Sequence, residues 1–301
     1  NVTTTGTQTY AGAVTLSGGD RTLTGATINT QSTLAGGGNA LTIAGAADID
    51  GALSGVTNLS INGAANIGAD VTTSGTQTYT DVVTLSGSDR TLTGSTVNTR
   101  ATLAGGGNAL TITGAANIDG AYSGITNLSV NGASNIGADI TTTGTQTYSG
   151  AVTLSSGDRT LTGPTVMTRS TLVGGGNALT IMGAADIDGA LSGISNLSIT
   201  GASNIGADIT TTGTQTYASA VTLSGGDRTL TGSTINTRSR LAGSGNALAI
   251  SGSADIDGAY TGITNLSVSG TSNMGANVTT TGTQTYAGAV TLSGGDRTLT
   301  G

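Results

Sequence analysis

Two pairings of charged side chains recur along this chain, and they are the first places to look for chemistry. Asp20-Arg21 returns as Asp89-Arg90, Asp158-Arg159, Asp227-Arg228 and Asp296-Arg297, and Arg100, Arg169 and Arg238 each follow ten residues after one of them. A carboxylate beside a guanidinium is suited to an acidic polysaccharide, the acid for proton transfer and the guanidinium for charge. Asp48-Ile49-Asp50 returns as Asp186 to Asp188 and Asp255 to Asp257, with Asn117 to Asp119 in between. Spaced carboxylates suit Ca²⁺, which takes six to eight oxygens. Thr-x-Thr pairs such as Thr7 to Thr9 and Thr22 to Thr24 could form ranks of hydroxyls that match a water lattice. Asn58-Leu59-Ser60 recurs at Asn127, Asn196 and Asn265 and satisfies the acceptor sequence for N-glycosylation.

Each of these has a plainer reading. An active site needs one specialised constellation with a cleft around it. The Asp-Arg pairs are near-copies with no unique long loop, so they read as solvated corners with ion pairs worth ~0–1 kcal/mol. His and Cys are absent, which removes the commonest acid-base and thiol chemistry. The Asp-x-Asp pairs read as strands with outward carboxylates; stacked three coils apart they would lie roughly 14 Å from one another, too far to share an ion. The Gly-Gly-x-Gly-x-Asp calcium nonapeptide is not met. The threonine rank reads as broken, because the counterparts of Thr22-Leu23-Thr24 are expected at Asp48-Ile49-Asp50 and Asn66-Ile67-Gly68. Asn58 reads as a corner residue. The expectation is therefore a non-enzymatic chain with no catalytic, cofactor-binding or metal-ligating residues and no cofactor.

The elements that must position these residues follow from one stretch, Gly6-Thr7-Gln8-Thr9-Tyr10. It returns ending at Tyr79, Tyr148, Tyr217 and Tyr286, with the same 69-residue interval each time. Self-similarity at a fixed period marks a repeat architecture. The chain divides into repeats 1–69, 70–138, 139–207 and 208–276 and a partial fifth, 277–301, expected to form a single continuous array. The tyrosines could be a sugar-stacking strip, but at that spacing they read as packing residues near a corner. Residues 1–25 are identical to 277–301, and no divergent capping coil is present, so the sequence reads as a window on a longer array.

Composition bounds the fold and the partners. Gly is 52 of 301 residues, and Phe, Trp, Lys and Glu are also absent. Thr, Val and Ile alternating between Gly-rich corners favour short strands over helix. Net charge is −7 with no basic face, which argues against nucleic acid. No apolar run approaches a membrane-spanning length, so no membrane insertion is expected.

Within a repeat, Val14-Thr15-Leu16, Leu41-Thr42-Ile43 and Leu59-Ser60-Ile61 look like one strand in three versions, followed by Val83-Thr84-Leu85. A second series runs Leu23, Ile49, Ile67, Leu92, and a third Ile28, Leu53, Val71, Val97. Each series covers one full repeat in long, short, long steps. This predicts an all-β parallel β-helix of triangular coils averaging 23 residues, three coils per repeat, about 13 in all, making a rod roughly 60 Å long at strand spacing. Inward candidates exchange only aliphatics, as at Ile28, Val97, Val166 and Ile235 or at Val56, Ile125, Ile194 and Ile263. Outward candidates vary freely, as at Gly12, Asp81, Gly150 and Ser219 or at Gln31, Arg100, Arg169 and Arg238. Leu53, Tyr122, Leu191 and Tyr260 alternate.

The run from Val2 to Leu16, Val-Thr-Thr-Thr-Gly-Thr-Gln-Thr-Tyr-Ala-Gly-Ala-Val-Thr-Leu, resembles repeats of filamentous-haemagglutinin-like secreted exoproteins and autotransporter adhesins of Gram-negative bacteria. The resemblance implies a right-handed parallel β-helix, export to the cell surface or the extracellular space, and a role in adhesion or surface filaments. It carries no catalytic residues. A spacing of six at Leu41, Ala47, Leu53 and Leu59 suits the left-handed alternative. The expected function is the structural shaft of a secreted adhesin or an extracellular filament, with partners limited to the chain itself and surface glycans. The alternatives are a self-assembling sheath or fibre, a carbohydrate-active β-helix and an ice-binding solenoid.

Overall fold

A computed structural model describes residues 1–301, and every regular element in it is a β-strand. The chain divides into two compact units, Asn1–Ala151 and Val152–Gly301, with the division inside the third repeat. Each unit is a parallel β-solenoid. There are about 16 turns in total, at roughly 19 residues per turn.

The turn is built from short sides. Leu41, Ala47, Leu53, Leu59, Ala65, Val71, Gln77 and Val83 are six apart and all buried. Strand side chains alternate between faces, so Leu41-Thr42-Ile43 puts both aliphatics inward and Thr42 outward. Three sides close a turn: Leu41 pairs with Leu59, Ala47 with Ala65 and Leu53 with Val71. The six-residue spacing assigned above to the left-handed alternative is thus the spacing these turns follow. The aliphatic sets expected to point inward are buried, and Gln31, Arg100, Arg169 and Arg238 are exposed.

The register corrects the expected coils. Val14 pairs with Leu34, which pairs with Leu53, not Leu41. Leu59 pairs with Gln77, and Val83 with Ala65. Of the series Val14, Leu41, Leu59, Val83, only the middle two share a column. The same holds for the other series: Leu23 pairs with Ile43, Ile49 with Ile67, and Leu92 with Val71. In the third, Leu53 pairs with Val71, while Ile28 pairs with Ala47 and Val97 with Gln77. The 18-residue steps are true turns and the longer steps are not, so the expected coils give way to shorter turns of roughly 19 residues. The reason is that polar residues hold inward positions. Gln77 is fully buried and Thr73 is 4% exposed, so an apolar pattern skips their sides.

Counting sides gives the geometry of the repeat. From Leu41 the sides begin at Ala47, Leu53, Leu59, Ala65, Val71, Gln77, Val83, Leu92, Val97 and Leu103, and the next begins at Leu110, the equivalent of Leu41. Eleven sides at three per turn make three turns and two-thirds. Equivalent residues of neighbouring repeats therefore fall on different faces. Tyr10 stands in a column with Thr30, Ile49 and Ile67, whereas Tyr79 stands with Ile61, Ile43 and Leu23. In the second unit Tyr217 stacks on Thr237 and Ile256, and Tyr286 on Val268 and Ile250.

One corner is crossed without a break. Arg21–Thr30 and Leu41–Ile49 are long strands that bend there, and their register shifts between Thr24 and Thr27. Gly45 has φ +151°, and a Cβ on it would lie 1.9 Å from the Gly25 carbonyl oxygen. Gly114, Gly183 and Gly252 repeat this approach at 1.8, 1.7 and 1.8 Å. We expect Gly45→Ala to cost about 3 kcal/mol, because the turns must separate locally. Gly12→Ala, where nothing lies within 4 Å, is expected to stay within about 0.5 kcal/mol. Denaturant unfolding of the two variants checks this; equal midpoints would contradict it.

Candidate functional site

The recurring charged residues are placed by the ladder, and the Asp of each Asp-Arg pair holds the next turn while the Arg closes its own corner. The Asp20 carboxylate accepts the Ala40 N–H at 2.8 Å, and Asp89, Asp158 and Asp227 do the same for Ala109, Ala178 and Ala247. Arg90 donates from Nε and Nη2 to the Ser86 carbonyl at 3.0 and 2.8 Å, closing its own corner. Its ion pair is with Asp70 at 3.9 Å, and Arg228 pairs likewise with Asp208 at 3.8 Å. The neighbouring residues Asp89 and Arg90 thus point to different tasks. Two partly exposed pairs at such distances contribute ~0–1 kcal/mol each.

The Asp-x-Asp strands form amide–carboxylate columns. Asp48 accepts from Asn66 Nδ2 at 2.7 Å; Asp186 and Asp255 accept from Asn204 and Asn273 at 2.7 and 2.8 Å. In the second repeat Asn117 takes the place of Asp48 and accepts from Asn135 at 2.6 Å. No three acidic side chains converge anywhere in the chain. A recess of about 370 Å³ lies beside this column, lined by Ala46, Ala64, Val82, Asp48, Asn66 and Thr84. Its wall is small aliphatic groups with one carboxylate, already bonded to Asn66. It brings together no acid-base pair and no nucleophile with a base.

The threonines are better aligned than the sequence suggested. Thr22 is followed on its face by Thr42, Ser60 and Thr78, not by Asp48. Thr91 is followed by Thr111, Ser129 and Thr147. The first unit thus carries two columns of four outward hydroxyls, each with three from one repeat and the fourth from the next.

Tyr79, Tyr148 and Tyr217 are completely buried, which rules out a sugar-stacking strip, and Tyr10 and Tyr286 are half-buried. Each of the buried three is the last residue of its strand, packed inward just before a corner. Each closes a polar cluster within the core. Tyr79 Oη donates to Gln77 Oε1 at 2.8 Å, and Gln77 Nε2 donates to the carbonyls of Val71 and Thr93 at 3.0 and 2.7 Å. Tyr217 and Gln215 repeat it with Ile209 and Thr231. The alternating residues belong to the same interior: Tyr122 and Tyr260 share hydrogen bonds with Thr99 and Thr237 at 2.8 and 2.9 Å. Where Leu191 replaces them, the Thr168 hydroxyl has no partner. This interior pair escaped sequence reasoning. The signal was present: Gln and Tyr are always two apart, in phase with inward positions.

Burial pushes the phenols of Tyr79, Tyr122, Tyr148, Tyr217 and Tyr260 far above their ordinary range. A raised folded-state pKa makes the stability contribution complete below the unfolded pKa, about 10, and lost as pH rises above it. We expect these five to show no phenolate absorbance until the chain unfolds in alkali. A smooth titration of every tyrosine near pH 10 in the folded state would contradict it.

Two substitutions separate satisfied from unsatisfied interior groups. Tyr79→Phe leaves Gln77 Oε1 without a donor and is expected to cost about 1–3 kcal/mol. Ser203 Oγ is buried with no partner, as are Ser134 and Ser272, and Ala65 fills that position in the first repeat. Ser203→Ala is expected to be neutral or stabilising in thermal unfolding; a loss like that of Tyr79→Phe would contradict this.

Comparison with known protein families, with characterised proteins and with solved structures finds no match for this chain.

Proposed function

We propose that the chain is a non-enzymatic structural segment, the shaft of a secreted bacterial surface adhesin or of an extracellular filament. The observation that carries this reading is where the polar residues go. In the recurring families of Asp20, Asp48, Asn58 and Arg90, the polar side chains bond the backbone or a side chain of an adjacent turn or corner. Parallel ladders then resist extension, because each turn is held by the turns on either side. The partners that fit are further copies or continuations of the same solenoid, and glycans on neighbouring surfaces.

One observation favours a second reading, ice binding. The corrected register makes hydroxyl columns continuous over four turns, as in Thr91, Thr111, Ser129 and Thr147, spaced by about 4.8 Å. Thermal hysteresis of the purified chain, abolished by Thr111→Tyr, would favour it over the shaft.

The shaft reading is tested by antibody labelling of intact producing cells. Label is expected on the outside, in thin projections or shed fibres. Label that enters only after lysis would overturn it.

A further inference from the structure

Six asparagines stand two residues before a Ser or Thr: Asn1, Asn58, Asn127, Asn196, Asn265 and Asn277. All six are exposed and make one and the same contact. Their Oδ1 accepts a backbone N–H of the following turn, from Thr22, Thr76, Thr145, Thr214, Thr283 and Thr298, at 2.8 to 3.0 Å. Their Nδ2 bonds to nothing in the chain. The families of Asn39 and Asn66 behave in the opposite way. Asn39 Nδ2 donates to the Gly36 carbonyl at 2.9 Å, and Asn66 Nδ2 to Asp48 at 2.7 Å. The asparagines with an acceptor sequence are thus ones whose amide nitrogen is free while its carbonyl is fixed.

The strand presents the rest of the acceptor sequence on the same side. Alternation turns Leu59 into the core and leaves Asn58 and Ser60 both outward. Beneath Asn58 lies Gly75, where a Cβ would come within 2.3 Å of Asn58 Oδ1; Gly144, Gly213 and Gly282 keep the same opening. The amide plane can therefore lie against the turn with its nitrogen facing solvent.

We propose that Asn58, Asn127, Asn196 and Asn265 are N-glycosylation sites, one in each repeat. The donor class is a sugar activated as a diphosphate. The Nδ2 atom attacks the anomeric carbon, the carbon–oxygen bond to the diphosphate breaks, a carbon–nitrogen bond forms, and the amide loses one proton as the diphosphate leaves. The product keeps the Oδ1 contact, so the added sugar costs the ladder nothing. Because each repeat advances by three turns and two-thirds, Asn58 and Asn127 carry their sugars on different faces. Asn58 precedes the column of Leu59 and Gln77, Asn127 that of Leu128 and Gln146.

The test uses the whole chain, a soluble N-glycosyltransferase and UDP-glucose, with intact-mass spectrometry and a short Asn-x-Thr peptide as proof of transferase activity. Hexose increments are expected on the folded chain and mapped by peptide analysis to the four asparagines, and to Asn1 and Asn277, which share their contact. Ser60→Ala removes the increment at Asn58 alone and leaves the melting temperature unchanged, whereas Asn58→Gln removes both the increment and the Thr76 bond. No increment while the control peptide is modified, or increments at Asn39 or Asn66 in place of the four, would overturn the proposal.

Discussion

The structure depends on one constraint: every side of a turn must hand its backbone N–H and C=O groups to the side above and the side below. Parallel pairing does this only if successive turns have matching sides. With three short sides to a turn, the chain has little choice over where corners fall. Extra residues, as at Ser17-Gly18-Gly19-Asp20 or Gly36-Gly37-Gly38-Asn39, leave the ladder at corners and bulge outward. The Asp and Asn at those corners bond across the gap, Asp20 to the Ala40 N–H and Asn39 to the Gly36 carbonyl. The apolar core then follows from alternation within each side.

That constraint explains why the repeat and the turn are out of step. The repeat is long enough for eleven sides, and eleven is not a multiple of three. The chain copies a sequence unit; the solenoid copies a turn. Neighbouring repeats present the same surface on different faces, and the same inward residues meet new neighbours at each level. The interior shows it in the tyrosines. Burial first, and then Tyr122 on another face, push the phenols of both Tyr79 and Tyr148 upward. The alternation of Leu53 and Tyr122 changes the partner of the facing threonine: Thr99 bonds to the Tyr122 hydroxyl, Thr30, opposite Leu53, donates to the Asp48 carbonyl at 3.5 Å, and Thr168, opposite Leu191, bonds to nothing.

Much of this was legible in the sequence. The 69-residue period, the all-parallel β class and the inward aliphatics at Ile28, Val97, Val56 and Ile125 can be read directly, because strand alternation and core packing leave their marks on composition. Leu41 to Leu59 is legible too, since no polar residue interrupts the sixes between them. Beyond Val71 the pattern fails, because Thr73 and Gln77 take inward positions and look like surface residues. Their burial is stabilised by bonds that only the folded turn supplies: Gln77 to two carbonyls and to Tyr79, and Thr73 to the Gly75 carbonyl. The outward columns follow the same steps, and reading the 26-residue step from Leu23 to Ile49 as a turn sets Thr22 beside Asp48 and hides its alignment with Thr42. At the surface, the roles of Asp20, Asp48 and Asn58 depend on a neighbour a whole turn away along the chain, and no local spacing reveals that.

The register of the turns can be measured directly. The chain has no cysteine, so nitroxide labels can be placed only where cysteines are introduced. Ser60 stands beside Thr78 in the structure, whereas the longer coils that put Leu59 and Val83 in one column would set Ser60 beside Thr84. Labels at Ser60 and Thr78 should lie about 5 Å apart at strand spacing and give a strongly broadened, exchange-coupled spectrum. Labels at Ser60 and Thr84 should give none, because Thr84 stacks on Asn66 on another face. Strong coupling for Ser60 with Thr84, and its absence for Ser60 with Thr78, would contradict the three-sided turn and the face-by-face advance of the repeat.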